Sequence, residues 1–212
     1  MVFNIADFDV GLKKPRRELA EEDRSEFRQH YLEVLQRLGM RVESDNEKAL
    51  TEVADYFGRW WAGEKQYADY PKRGLFIFGS KGTGKTSVMK RFSALFDIEF
   101  ISVWDLGIVF SVGRTEGFWG TIKSFDGKHL IIDDLGNETA VKSFGNELPI
   151  PDLIRYRESM FCSREPKFTF FTSNFTDRKA VIAAYGDTVF SRIAGMCDFV
   201  EFKGRDYRLE RS

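Results

Sequence analysis

The chain has 212 residues, 42% hydrophobic and 31% charged, which allows one sizeable core plus a small extra element in a soluble globular protein. A formal net charge of −1 excludes a global positive field, so any contact with nucleic acid has to use a local patch. Cys162 and Cys197 stand far apart without CxxC spacing, which argues against metal binding through them and fits a reducing cytoplasm. No stretch reads as a signal peptide or approaches the roughly 20 apolar residues of a membrane span, so a cytoplasmic protein is expected. Twenty-one phenylalanines point to a core built largely from aromatic rings.

The first 70 residues differ from the rest. Lys13, Lys14, Arg16 and Arg17 cluster around Pro15. Phe27, Tyr31, Leu35 and Leu38 then share one helical face, and Gly39 would stop that helix. Ser44 stands three residues before Glu47, a capping-box spacing, ahead of Leu50, Val53, Ala54, Phe57, Trp60 and Trp61 at helical intervals. The second helix is as fit to pack on the following domain as to hold a partner. The first is the better partner candidate, so residues 1–45 read as a helical extension and residues 46–212 as the main domain. Residues 67–73 look like a connector.

Strands and helices alternate from Gly74 onward. Leu75-Phe76-Ile77-Phe78 reads as a buried strand, and the segment from Thr86 opens a helix with Val88, Phe92 and Leu95 in register. A second strand is expected over 98–104, with Asp105 capping a helix through Phe110. A third strand covers 130–132, a helix 151–162 and a fourth strand 168–172. Asp177 would cap a helix through Tyr185, ended by Gly186, before a short helix over 188–194 and a fifth strand over 199–202. Alternation of this kind predicts an α/β fold, a central, mainly parallel five-stranded sheet with helices on both faces.

Between the first strand and its helix runs Gly79-Ser80-Lys81-Gly82-Thr83-Gly84-Lys85-Thr86, followed by Ser87, a full match to the phosphate-binding pattern G-x-x-x-x-G-K-[ST]. Glycines let the backbone turn close to phosphate so that successive N–H groups face the anion, and the helix N-terminus adds partial positive charge. Lys85 would reach the β- and γ-phosphates, and the Thr86 hydroxyl would take one Mg2+ position. Leu130-Ile131-Ile132-Asp133-Asp134-Leu135-Gly136 ends an apolar strand in two acids. Asp133 would hold the Mg2+ shell, and Asp134, turned elsewhere by strand alternation, would polarise water. Phe170-Phe171-Thr172-Ser173-Asn174 ends another strand. Asn174 would sit near the γ-phosphate if the strands are neighbours. Arg192, in Val189-Phe190-Ser191-Arg192-Ile193, reads either as a surface charge or as an arginine finger reaching the nucleotide of a neighbouring subunit. Phe110, Arg114, Phe118, Trp119, Lys123, Phe125 and Lys128 interleave rings and cations, a pattern that suits single-stranded DNA and equally suits core aromatics with solvated lysines.

With these residues together the chain resembles the DnaC/IstB-type AAA+ ATPases, over residues 46–210. The likeness rests on the phosphate loop, Ile132-Asp133-Asp134-Leu135-Gly136, Thr172-Ser173-Asn174, Tyr185-Gly186, Ser191-Arg192 and the run from Val200 through Gly204-Arg205-Asp206-Tyr207-Arg208. The resemblance implies a P-loop NTPase of AAA+ type without a C-terminal lid. It assigns Walker A to Lys85 and Thr86, Walker B to Asp133 and Asp134, sensor 1 to Asn174 and the trans finger to Arg192. It further implies ATP and Mg2+ as ligands, a replicative helicase and single-stranded DNA as partners, and self-association through Arg192. Asp134 stands where many AAA+ proteins carry Glu, which suggests slow turnover suited to a switch. The expected activity is that of an ATP-hydrolysing helicase loader, with an IstB-like regulator of a DNA transposase as the alternative. A P-loop small-molecule kinase is disfavoured because no arginine-rich lid segment follows. The acid pair argues against a scaffold that binds ATP without hydrolysing it.

Overall fold

The computed structural model describes residues 21–37, 40–62, 71–137 and 149–209, apart from the side chains of residues 21–24, 61, 62 and 114. The basic cluster at Lys13, Lys14, Arg16 and Arg17 lies outside the described residues, as do Leu38, Gly39 and most of the expected connector. The elements run α1 (Glu21–Arg37), α2 (Glu47–Ala62), β1 (Gly74–Gly79), α3 (Lys85–Phe96), β2 (Glu99–Ser102), α4 (Val103–Lys123), β3 (Leu130–Leu135), α5 (Ile150–Phe161), β4 (Thr169–Ser173), α6 (Arg178–Tyr185), α7 (Asp187–Met196) and β5 (Cys197–Phe202). Every strand pairing is parallel, in the order β2-β3-β4-β1-β5. That order sets β4 between β1 and β3, so the strand ends carrying Asn174 and the acid pair follow one another on the same side of the phosphate loop. No described helix is long and apolar enough to cross a membrane.

Strand side chains alternate between two apolar layers, as a period of two dictates. Leu75, Ile77, Ile131, Phe170 and Phe202 join one layer with α1, α2 and α3, while Phe76, Ile132 and Phe171 join the other with α4, α5 and α7. Phe57 of α2 stacks on Phe92 of α3, ring centroids 3.6 Å apart, so α2 packs on the domain. The apolar face of α1 is used in the same way. Phe27, Tyr31 and Leu35 are buried, and Tyr31 stacks on Phe92 at 4.6 Å. Three such side chains, about 1.5–3 kcal/mol each, hold a helix that would be marginal alone. Any partner contact by α1 has to use its polar face.

Three local expectations are corrected. Ser44 lies in the turn before α2 rather than capping it, and Asn46 takes the adjacent backbone instead, its Oδ1 accepting from the Glu43 N–H at 2.9 Å. The second strand ends at Ser102, which caps α4 with Asp105 as its partner. Ser102 Oγ accepts from the Asp105 N–H at 3.0 Å, and the Asp105 carboxylate accepts from the Ser102 N–H at 3.3 Å. The helix then runs to Lys123 rather than Phe110. Glycines at 113, 117 and 120 cost roughly 1 kcal/mol each, but burial of Phe110, Phe118 and Ile122 on one face outweighs them. The interleaved ring set is drawn into the same core in part. Phe110 and Phe118 are core, and Trp119 and Phe125 are half-buried against it. Lys128 is paired with Glu99, and the Arg114 side chain is outside the described residues.

Candidate nucleotide-binding site

The phosphate loop leaves β1 at Gly79 and enters α3 at Gly84. Gly82, with φ of 75°, takes a left-handed conformation that favours glycine, and a Cβ there would also displace the Asp206 carboxylate. Gly84 is the N-cap of α3, with φ of 95° and no side-chain cap. The first-turn N–H groups of α3 are therefore left for an anion. Thr83, fully buried, donates its hydroxyl to the Ser80 carbonyl at 3.0 Å and fixes the loop. Lys85 is only 5% exposed, and its Nζ donates to the carbonyls of Gly79 at 2.8 Å and Ser80 at 2.6 Å. Burial pushes its pKa down to about 8; the Asp134 charge opposes that shift and Arg208 adds to it.

Thr86 Oγ1 donates to Asp133 Oδ1 at 3.0 Å, and Thr172 Oγ1 donates to the same oxygen. Asp133 is 4% exposed. Burial pushes its carboxyl pKa up, and the Thr172 and Thr86 hydroxyls pull it back. A hydroxyl and a carboxylate in contact at the foot of a phosphate loop form a hard-oxygen donor set that fits Mg2+.

Asp134 reaches the cleft by a route other than simple alternation. The β3–β4 register runs Ile132↔Phe171 and then Leu135↔Ser173, so Asp133 and Asp134 together face Thr172. Asp134 takes up the extra length with φ of 61°, a left-handed conformation costing about 1–3 kcal/mol in a non-glycine residue. Its N–H donates to Thr172 Oγ1 at 2.9 Å, and its Oδ1 accepts from Asn174 Nδ2 at 3.4 Å. The Phe175 carbonyl accepts from the Gly79 N–H at 3.2 Å, which ties the end of β4 to the start of the loop. Lys85, Thr86, Asp134 and Asn174 thus line one cleft of about 620 Å³, with Lys81 and Ser87 at its wall.

The rest of the lining was not expected from the motifs, although Tyr207 and Arg208 belong to the quoted run after β5. It includes Met40, Arg41, Asn46, Tyr207 and Arg208. The tail after β5 is strapped over the loop, with the Tyr207 N–H donating to the Gly82 carbonyl at 3.2 Å. Its Oη donates to Asp45 at 2.9 Å and accepts from Asn46 Nδ2 at 3.1 Å, and Arg205 pairs with Glu43. Arg192 is not in this cleft. It lines a separate hollow of about 690 Å³ with Arg178 and Asp187 and is ion-paired with Glu158.

The site thus sits on an all-parallel five-stranded sheet in the order 2-3-4-1-5, with a phosphate loop after β1 and acids at the end of β3. Among solved structures the chain is similar to the DnaC helicase loader, at 20% identity and a TM-score of 0.52, covering 76% of this chain and 92% of that one. It is also similar to DnaI, at 18% identity and a TM-score of 0.53, covering 88% of this chain and 96% of that one. At these identities the likeness carries the fold. No protein-family model matches the chain, and no curated protein matches it in sequence.

Proposed function

We propose that the chain is a Mg2+-dependent ATPase that acts as a nucleotide switch in loading a replicative helicase onto single-stranded DNA. The observation that carries this reading is the convergence, in one cleft under the uncapped N-terminus of α3, of Lys85, the Thr86–Asp133 contact and the Asp134–Asn174 pair. The fold shared with the DnaC helicase loader supports the choice of partner.

In this reading the triphosphate draws Lys85 off the Gly79 and Ser80 carbonyls and takes the α3 N-terminal N–H groups as donors. Thr86 and Asp133 would hold Mg2+, which would supply positive charge against the phosphates. Asp134, held by Asn174, orients the attacking water. Arg208 supplies a second cation from the tail of the same chain, and Arg192 supplies one to the nucleotide of a neighbouring subunit. Asp134 is a carboxylate on a short arm, fixed by strain, which suits slow turnover.

Phosphate release by the purified chain, with and without single-stranded DNA, tests the enzyme half. Pull-downs against a replicative helicase and against a transposase test the partner half. Capture of the transposase alone would replace the helicase reading with the transposition one, and absence of phosphate release would leave a nucleotide-binding scaffold.

A further inference from the structure

A finger that serves a neighbouring nucleotide must project, yet Arg192 is retracted. Its Nη1 is ion-paired with Glu158 Oε2, the two side chains being 32% and 28% exposed, and its Nε is buried without a partner. Glu158 belongs to α5, which packs directly on α7. On the far side of the same hollow, Arg178 pairs with Asp187 at 3.9 Å, so both cations there are matched by carboxylates of their own chain. None of the residues lining this hollow also lines the nucleotide cleft. The contact therefore answers no need of the chain's own nucleotide.

We infer that Glu158 is a positioning residue that parks Arg192 against α5 in the unassembled chain and yields it to the phosphates of a nucleotide bound by a second copy. This inference rests on the trans role proposed for Arg192. The charges favour such an exchange. A guanidinium presents five donors in a planar fork, and a triphosphate offers more negative charge and more acceptor oxygens than one carboxylate. The Glu158 pair is partly open to water, so it is screened and weak. It can hold the side chain while no phosphate is near and lose it once a neighbour docks. Each subunit then pays the release of Arg192 as part of forming the interface, which raises the protein concentration at which hydrolysis begins.

The test is phosphate release per subunit by the full chain across a range of protein concentrations, for wild type, Glu158→Gln, Arg192→Ala and the double variant. Loss of a partly exposed ion pair shifts the equilibrium about two- to fivefold. Glu158→Gln is therefore expected to reach half its maximal rate at a two- to fivefold lower protein concentration, with the KM for ATP unchanged. The double variant is expected to behave like Arg192→Ala, because Glu158 acts only through Arg192. An unshifted or higher half-maximal concentration in Glu158→Gln, with Arg192→Ala still slow, overturns the parking role and leaves the finger standing. Full activity of Arg192→Ala overturns the finger, and the parking role with it. A thermal melt shows whether Glu158→Gln is folded. If it is not, Glu158→Ser is assayed in its place with the same expected shift and the same overturning result.

Discussion

Thr172 is the joint on which both acids of the site turn, and replacing it by valine tests the geometry directly. Its hydroxyl donates to the buried Asp133 carboxylate and accepts from the Asp134 N–H. Valine keeps the shape and the two-branched packing of this fully buried residue but supplies neither function. The bond to a charged group contributes about 1.5–3 kcal/mol, and an orphaned donor costs a further ~1–3 kcal/mol. The Asp134 N–H is only partly buried, so the lower end applies to it and the sum comes to about 3 kcal/mol. For a domain of this size that is a drop of roughly 6–12 °C in Tm. Thr172→Ser keeps the hydroxyl and loses one methyl group, about 1 kcal/mol. Urea denaturation of the three proteins reads the difference, and phosphate release reads its consequence. Without the Thr172 acceptor the left-handed turn at Asp134 loses its anchor, so turnover falls in valine and persists in serine. If valine is as stable and as active as serine, the bulge is not held by this hydroxyl.

Lys85→Ala abolishes tight ATP binding, whereas Asp134→Asn keeps binding and stops turnover because Asp133 and Thr86 are untouched; equal loss of affinity in both, by calorimetry, would mean the two acids are wrongly assigned. The pKa of Lys85 is about 8 in the free protein, and a bound phosphate anion raises it, so binding takes up a proton once the pH exceeds that value. Nucleotide affinity is thus flat from neutral pH to about 8 and then weakens by at most tenfold per pH unit, a slope that vanishes in Lys85→Arg; a wild-type affinity unchanged between pH 7 and 9.5 contradicts the burial argument. Arg208→Ala weakens ATP binding about three- to tenfold at any protein concentration, since a mostly exposed cation contributes modestly. Arg192→Ala instead lowers the rate by as much as ~10³-fold with little change in affinity, and mixing it with Lys85→Ala restores part of the activity; a mixture as inactive as its parts sinks the shared site.

The phosphate loop, the strand that precedes it and the acids at the end of β3 were legible because each is a short local pattern. Residues within about ten positions of each other fix the backbone there. Alternation of elements gave a mainly parallel sheet, which the structure makes wholly parallel, and Asp177 was legible from its place before the apolar run of α6. The start of α4 was legible in principle, since Ser102 and Asp105 have capping-box spacing. The β-rich run from 98 to 104 masked it, and long-range burial of Phe118 and Ile122 then carried the helix past three glycines. Tyr207 and Arg208 stood in the run that carries the resemblance, but their place in the second wall of the cleft was not legible. Tyr207 meets Asp45 and Asn46 across more than 160 residues, and nothing near either end of that contact announces it. Thr172 lay inside a quoted motif, but its role depends on a register shift between β3 and β4 that no single-strand pattern contains.

The tail strap also bears on how the candidate nucleotide cleft is closed, with no lid among the described residues. The loop at Gly82 is held from one side by Tyr207, and Tyr207 is held in turn by the turn between α1 and α2 through Asp45, Asn46 and the Arg205–Glu43 pair. The loop is therefore linked to the N-terminal helices through two residues, Tyr207 and Asp45. Lys85 starts on the carbonyls of its own loop, Asp134 is fixed in a strained turn, and Arg192 is paired away from any nucleotide. On the proposed reading Asp134 is already held where it would act, whereas Lys85 needs a rearrangement and Arg192 a neighbour. A motor gains from a site that is ready at every cycle. A site that must first be completed suits a protein whose nucleotide state is read by something else, and the α1–α2 turn is where this fold would pass that state on.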